Sequence, residues 1–366
     1  MNISLVFGTR PEAIKIAPVI RELARRRVRH CVIATAQHRG MLDQTLRHFG
    51  IRPDYDLDIM RKNQDLFHTT TRVLEKLKNV FDKERPDVVL VQGDTTTTLA
   101  ASLAAYYLGI PVGHIEAGLR TNDKHNPFPE EINRRLTSHI ADHHFAPTLG
   151  AKRNLMREGI PKTSIHITGN TAIDALMMTT QKLIPHPNEL RRVNFKKRVI
   201  LLTAHRRENF GAPLRDIFIA CKAIVKNNPD VEILYPVHPN PQVVGSARKV
   251  LGNTGRIHLV PPLSYSSMVY AMAQSYFVLT DSGGLQEEAP TLGKPVLVLR
   301  KTTERPEAIA CGAARLVGTD AHRISREAQK LITDDRAYAA MSSKKNPFGD
   351  GRAAERIVNA LLRSHG

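Results

Sequence analysis

At 366 residues the chain is long enough for two α/β domains rather than one. Its three cysteines, Cys31, Cys221 and Cys311, are odd in number and far apart, which excludes a disulfide scaffold or a cysteine metal site and fits a reducing compartment. The net charge of +18 comes from Lys and Arg spread over helical stretches, with only Arg25-Arg26-Arg27 and Lys196-Lys197-Arg198 clustered and no aromatics interleaved. It reads as solvated faces suited to anionic small molecules, not as a nucleic-acid or membrane surface.

The N-terminus, Met1 to Gly8, lacks the basic region and long apolar run of a signal peptide, and no later stretch is long and apolar enough to span a bilayer. A cytoplasmic protein is expected. Ile3–Phe7 reads as a strand, and Pro11 opens a helix running to about Arg27. Cys31–Ala36 is the next strand; Val88–Val91 and Val112–Ile115 follow, each after a helical pattern. A second series begins after Pro185-His186-Pro187: Val199–Leu202, Val231–Tyr235, Ile257–Val260, Phe277–Leu279 and Pro295–Leu299. The sparsely apolar segment 184–197 is the candidate junction. Strands alternating with helices argue for an α/β chain of two Rossmann-like domains, each a parallel sheet covered on both faces, with a central cleft.

Ligands of such sheets bind beyond the carboxyl ends of the strands, so the residues there are the candidate site. They are polar: Gly8-Thr9-Arg10-Pro11-Glu12 with Lys15, Gln37-His38-Arg39, Gly93-Asp94 followed by four threonines, Glu116-Ala117-Gly118, and Pro129-Glu130-Glu131 opening a helix. In the second half come His205-Arg206-Arg207-Glu208-Asn209 and Val237-His238-Pro239. Asp94 alone reads equally as a helix cap and Glu116 as a loop acid. Three carboxylates and a histidine on one set of strand ends are harder to assign to capping.

Near the end of the second series, Thr280-Asp281-Ser282-Gly283-Gly284 joins a strand to a helical pattern over Leu285–Leu292, closed by Gly293. Unpaired N–H groups and the helix dipole there favour a phosphate or diphosphate, and Glu287 or Glu288 can take the hydroxyls of a ribose. An ordinary Ser-capped helix with a solvated acidic face is the alternative.

The chain has neither the Gly-x-Gly-x-x-Gly dinucleotide fingerprint nor a phosphate loop, and no Asp-x-Asp stands at a strand end. No cofactor and no metal are therefore expected. Arg10, Lys15, His205 and Arg305 can supply positive charge to a departing diphosphate, while Asp94, Glu116 and Glu130 move protons on two faces of a sugar. That set suits chemistry at the anomeric end of a nucleotide sugar.

The runs Gly8 to Lys15, Gly93 to Thr98, His114 to Arg120, Pro129 to Arg134, Gly169-Asn170-Thr171, His205 to Asn209, Thr280 to Gly284 and Thr303 to Glu307 occur in the order found in the non-hydrolysing UDP-N-acetylglucosamine 2-epimerases, which the chain resembles from residue 7 to about 351. The resemblance implies a glycosyltransferase-B-type fold, with domains over 1–170 and 171–349, a C-terminal helix over 350–366 returning to the first, and homodimers. It implies conversion of UDP-N-acetylglucosamine to UDP-N-acetylmannosamine through anti elimination of UDP to a glycal and readdition. Asp94, Glu116 and Glu130 match its acid/base carboxylates, and His205 its essential histidine. Arg10, Lys15, Ser282, Gly283, Gly284, Glu288 and Arg305 match nucleotide contacts, with Glu288 on the ribose. Leu263 and Met268 stand where members often carry a glutamine and an aromatic against uracil. Gln37, Glu130, Arg206 and His238 match a second site where UDP-N-acetylglucosamine acts as activator, although His238 can equally be a packing residue. A 2-epimerase of a modified UDP-sugar, a hydrolysing epimerase and a nucleotide-sugar-binding module stay open as alternatives.

Overall fold

Short apolar runs separated by helices pair as parallel strands, and this chain does so twice. In the computed structural model, which describes residues 1–36, 39–61, 64–182 and 186–364, the first unit is Met1–Met178 with Phe348–Gly366 and the second is Thr179–Pro347.

In the first unit the elements are β1 (Asn2–Phe7), α1 (Arg10–Arg25), β2 (Arg29–Ala34), α2 (Arg39–Phe49), β3 (Tyr55–Asp56), α3 (Leu66–Glu84), β4 (Val88–Gln92), α4 (Thr96–Tyr107), β5 (Val112–Ile115), α5 (Glu130–Ile140), β6 (His143–Ala146), α6 (Leu149–Arg157), β7 (Ile165–Ile167) and α7 (Thr171–Thr180). The seven strands are parallel in the order 3-2-1-4-5-6-7. Alternation along β1 feeds both faces: Ile3, Leu5 and Phe7 join the core under α1 and the C-terminal helix, while Val6 joins the core under α3 and α4.

In the second unit β8 (Arg198–Thr203), α8 (Ala212–Asn227), β9 (Val231–Pro236), α9 (Pro241–Leu251), β10 (Ile257–Val260), α10 (Tyr265–Gln274), β11 (Phe277–Thr280), α11 (Gly283–Thr291), β12 (Val296–Val298), α12 (Pro306–Ala310), β13 (Ala314–Leu316), α13 (Ala321–Thr333) and α14 (Asp335–Ser342) follow one another. Its strands are parallel in the order 10-9-8-11-12-13. In each sheet the order reverses once, between β1 and β4 and between β8 and β11. A crevice opens at such a reversal beyond the strands' carboxyl ends.

Sequence reading does not reveal β3, β6, β7 and β13. They are two to four residues long, and His143, His144, His166 and Arg315 interrupt their apolar pattern. The first unit also runs past the expected boundary at 170. Helix α7 stays with it because Ile173 and Leu176 are fully buried and Asp174 accepts the N–H groups of Ala353 (3.2 Å) and Ala354 (2.9 Å). These two residues begin the C-terminal helix, Ala353–Ser364, which buries Ile357, Val358 and Leu361 in the core beside α1. Part of the expected junction, residues 184 and 185, lies outside the described residues. The rest of it is packed into the second unit, with Leu190 and Val193 buried and Glu189 accepting from Ser267 Oγ at 2.6 Å.

Candidate active site

In the first unit the site begins at the turn after β1. A Cβ on Gly8 would lie 2.4 Å from Thr35 Oγ1 and 2.5 Å from Thr97 Oγ1, so only glycine fits between β2 and α4. Glu12, at the third position of α1, is buried and ties two strand ends together. Its Oε2 accepts the N–H groups of Gly8 (3.1 Å) and Thr9 (2.8 Å), and its Oε1 accepts the hydroxyls of Thr95 (2.7 Å) and Thr98 (3.2 Å). Burial pushes its carboxyl up against those bonds. Sequence reading passes over Glu12 as a site residue, although Thr9-x-x-Glu12 is a capping-box signature. Arg10 and Lys15 lie on the same helix and are partly exposed.

Asp94 is not a helix cap. Thr95 caps α4, its hydroxyl accepting from Thr98 N–H. The Asp94 carboxylate is held by Arg134 at 2.5 Å, and its carbonyl accepts from Asn133 at 2.9 Å. Both partners lie one turn into α5, whose first residue is Glu130, so they draw the start of α5 up to the β4 corner. Glu131, beside it, is fully buried and accepts the N–H groups of Thr121 and Asn122.

Glu116 follows β5 directly and has a φ of +67°, a left-handed conformation that is uncommon for a residue with a side chain. The carboxylate this directs is buried against Lys15 Nζ, with Gln92 Nε2 at 2.9 Å and Asn170 Nδ2 at 3.3 Å. His114, in β5, contacts the Gly93 carbonyl through Nε2 at 2.7 Å; burial depresses it to about 3, so it stays neutral and acts as a strut. The first unit thus gathers Asp94, Glu116, Lys15 and the start of α5 at the reversal between β1 and β4.

In the second unit His205 stands after β8 and Ser282 after β11, at the other reversal. Ser282 occupies the N-cap position of α11, but its hydroxyl makes no capping bond, so the helix is not an ordinary Ser-capped one. Gly283 is pressed by the Arg305 guanidinium; a Cβ there would meet Arg305 Cζ at 3.3 Å. Arg305 donates from Nε to Glu287 at 2.6 Å, so of the two acidic residues Glu287 is buried in an ion pair and Glu288 is the partly exposed one. Glu304 faces Arg305, Arg300 and Arg206. Burial raises its carboxyl, but the three guanidinium groups outweigh burial and bring it down to about 2.

Tyr265, at the start of α10, is an electrostatic neighbour of Glu288; burial first and then that carboxylate hold its phenol well above the ordinary value. Sequence reading offers no signal for it. Leu263, just before α10, is buried and Met268 within it is partly buried. His238 is exposed after β9, and its ring stacks on His205 with centroids 5.3 Å apart. Arg206 reaches Glu304 at 3.3 Å. Gln37, expected with these two at a second ligand site, lies outside the described residues.

Residues 21–362 match the protein family described as UDP-N-acetylglucosamine 2-epimerase. The UDP-N-acetylglucosamine 2-epimerase of Bacillus subtilis is 52% identical over 367 residues, covering 100% of this chain and 96% of the relative. That of Escherichia coli is 50% identical over 372 residues, covering 99% and 98%. Among solved structures, the UDP-GlcNAc 2-epimerase of Neisseria meningitidis, bound to UDP-GlcNAc, superposes with a TM-score of 0.94 at 48% identity, covering 99% of this chain and 100% of that one.

Proposed function

The chain belongs to the UDP-N-acetylglucosamine 2-epimerase family, and from that premise we propose that it interconverts UDP-N-acetylglucosamine and UDP-N-acetylmannosamine without net hydrolysis. The observation that carries the reading is the pair of carboxylates at the ends of β4 and β5, Asp94 on Arg134 and Glu116 among Lys15, Gln92 and Asn170. The hydrogen at carbon 2 of the sugar has no neighbouring carbonyl, so its removal as a proton alone is prohibitive. Coupled to anti departure of UDP, the C–H electrons form the double bond of a glycal and the C1–O electrons leave with UDP. Protonation of carbon 2 on the opposite face, with return of UDP to carbon 1, completes the inversion. This needs a base and an acid on two faces, roles that Asp94, Glu116 and Glu130 divide among them.

Leaving-group charge falls to Arg10, Lys15, His205 and Arg305 and to the N–H groups of Ser282, Gly283 and Gly284 at the tip of α11. Glu288 holds the ribose, and Leu263 and Met268 flank the uracil. A second UDP-N-acetylglucosamine, held by Gln37, Glu130, Arg206 and His238, serves as activator. No described helix is long and apolar enough to cross a membrane, and we place the enzyme in the cytoplasm. We take it to be a homodimer; sedimentation should then give twice the chain mass of 40.8 kDa, and a monomer at assay concentration would refute this.

Carbon-13 NMR of purified protein with UDP-N-acetylglucosamine in heavy water tests the chemistry. The expected product is the manno epimer carrying deuterium at carbon 2, with no net build-up of UDP. Epimer carrying only protium there would rule out elimination and readdition, and N-acetylmannosamine released with equal UDP would identify a hydrolysing enzyme.

A further inference from the structure

Asp281 precedes the α11 turn and is 0% exposed. Its Oδ2 accepts three hydrogen bonds: from the N–H of His205 at 2.8 Å, from the N–H of Arg206 at 2.8 Å and from Asn209 Nδ2 at 3.0 Å. One oxygen therefore fixes the whole loop after β8 to the end of β11. The loop is braced from the other side by Tyr235, whose hydroxyl donates to the Ala204 carbonyl at 2.7 Å. The second oxygen, Oδ1, is buried and makes no other hydrogen bond among the described residues; it faces His205 Nδ1 at 3.2 Å. The far face of the imidazole is covered by His238, whose rings lie 10° from parallel. His238 is itself oriented, its Nδ1 accepting the Asn240 N–H at 3.2 Å. The His205 ring is thus fixed in plane and in rotation, and its side chain is 35% exposed.

We propose that Asp281 is a positioning residue for the reaction, keeping a proton on His205 Nδ1 so that Nε2 is the atom presented to the leaving diphosphate; this rests on the epimerase reading above. A carboxylate has only lone pairs to offer, so the nitrogen facing it must carry the hydrogen. Nε2 is then free to accept a proton in the neutral ring or to donate one in the charged ring. Burial raises the Asp281 carboxyl, but the His205 contacts and the loop N–H groups outweigh it and hold it below its ordinary value, so the acceptor stays ionised.

Asp281→Asn discriminates this from a purely structural role. The three donors at Oδ2 require the amide oxygen to keep that place, which turns the amide NH2 toward His205. An NH2 needs a lone pair on Nδ1, so the neutral ring must move its hydrogen to Nε2. We expect kcat to fall by about 100-fold or more, with KM within about threefold, because the loss acts in the chemical step. In the His205→Asn background the same substitution should cost nothing further. Nitrogen-15 NMR of the histidine-labelled protein without substrate, with His205 assigned by its loss in His205→Asn, should show hydrogen on Nδ1 in the wild type and on Nε2 in Asp281→Asn. Wild-type His205 carrying its hydrogen on Nε2 overturns the proposal even if Asp281→Asn fails to fold. So does a kcat within about threefold of wild type, or an equal loss in the His205→Asn background. Because the tautomer is read without substrate, it decides the action of Asp281 on His205 even if the wild type proves not to epimerise UDP-N-acetylglucosamine.

Discussion

Asp94 and Glu288 are both carboxylates beside a strand-to-helix corner, yet their surroundings suit different tasks. Asp94 is gripped by Arg134 at 2.5 Å in a loop anchored to α5, the fixed geometry that proton transfer needs. Asp94→Asn preserves shape, so UDP should still bind and raise the melting temperature. Turnover should drop by about 100- to 10,000-fold, the usual worth of a general acid or base; turnover within tenfold of wild type would remove Asp94 from the chemistry. Glu288 sits partly exposed on the first turns of α11 beside Tyr265. Glu288→Ala should weaken UDP binding, by about 1.5–3 kcal/mol for each charge-assisted hydrogen bond lost. Calorimetry showing unchanged UDP affinity would take the ribose away from Glu288.

At the scale of elements, the Asp174 side chain ties the C-terminal helix to α7. The Asp174 carboxylate receives the N–H groups of Ala353 and Ala354. Burial is the larger influence and, with Asp350 adding to it, pushes Asp174 from 3.8 up to about 6 despite those bonds. The folded protein therefore binds this proton more tightly than the unfolded chain does. Stability from this group is fully present below the unfolded value near 3.8 and is lost as pH rises through about 6. At about 1.4 kcal/mol per pH unit of displacement, the change is roughly 3 kcal/mol. Denaturant unfolding of wild type and Asp174→Asn at pH 4 and pH 7 isolates it, because the substitution removes this titration. The wild type should lose stability relative to the variant as pH rises; the opposite trend would mean that the N–H bonds win over burial.

At the scale of the whole molecule, the proposed reaction draws its positive charge from protein side chains alone. Arg10 and Lys15 lie on α1, and Arg206, Arg300 and Arg305 surround Glu304 in the second unit. In the proposed reaction Arg10, Lys15, His205, Arg305 and the α11 tip take up the charge of the departing diphosphate without a metal, so activity should survive dialysis against EDTA with no NAD added. Loss restored by magnesium would show that a metal shares this task.

Both sheets were legible in the sequence because a strand buried on both faces reads as an apolar run, as Val88–Val91 and Val199–Leu202 do. The polar residues after those strands were legible as a candidate site because ligands of parallel sheets bind beyond the strands' carboxyl ends. Short strands such as His143–Ala146 were not legible, since their polar residues break the apolar pattern that identifies a strand. Nor could spacing along the chain show that Thr95 caps α4 and leaves Asp94 to Arg134, that Glu287 goes to Arg305 and leaves Glu288 partly exposed, or that Asp281 faces His205. Local sequence determined which residues stand at each strand end. Which side chain meets which was decided by sheet order, because parallel pairing places β11 beside β8 and brings Asp281 against His205, 76 positions earlier in the chain.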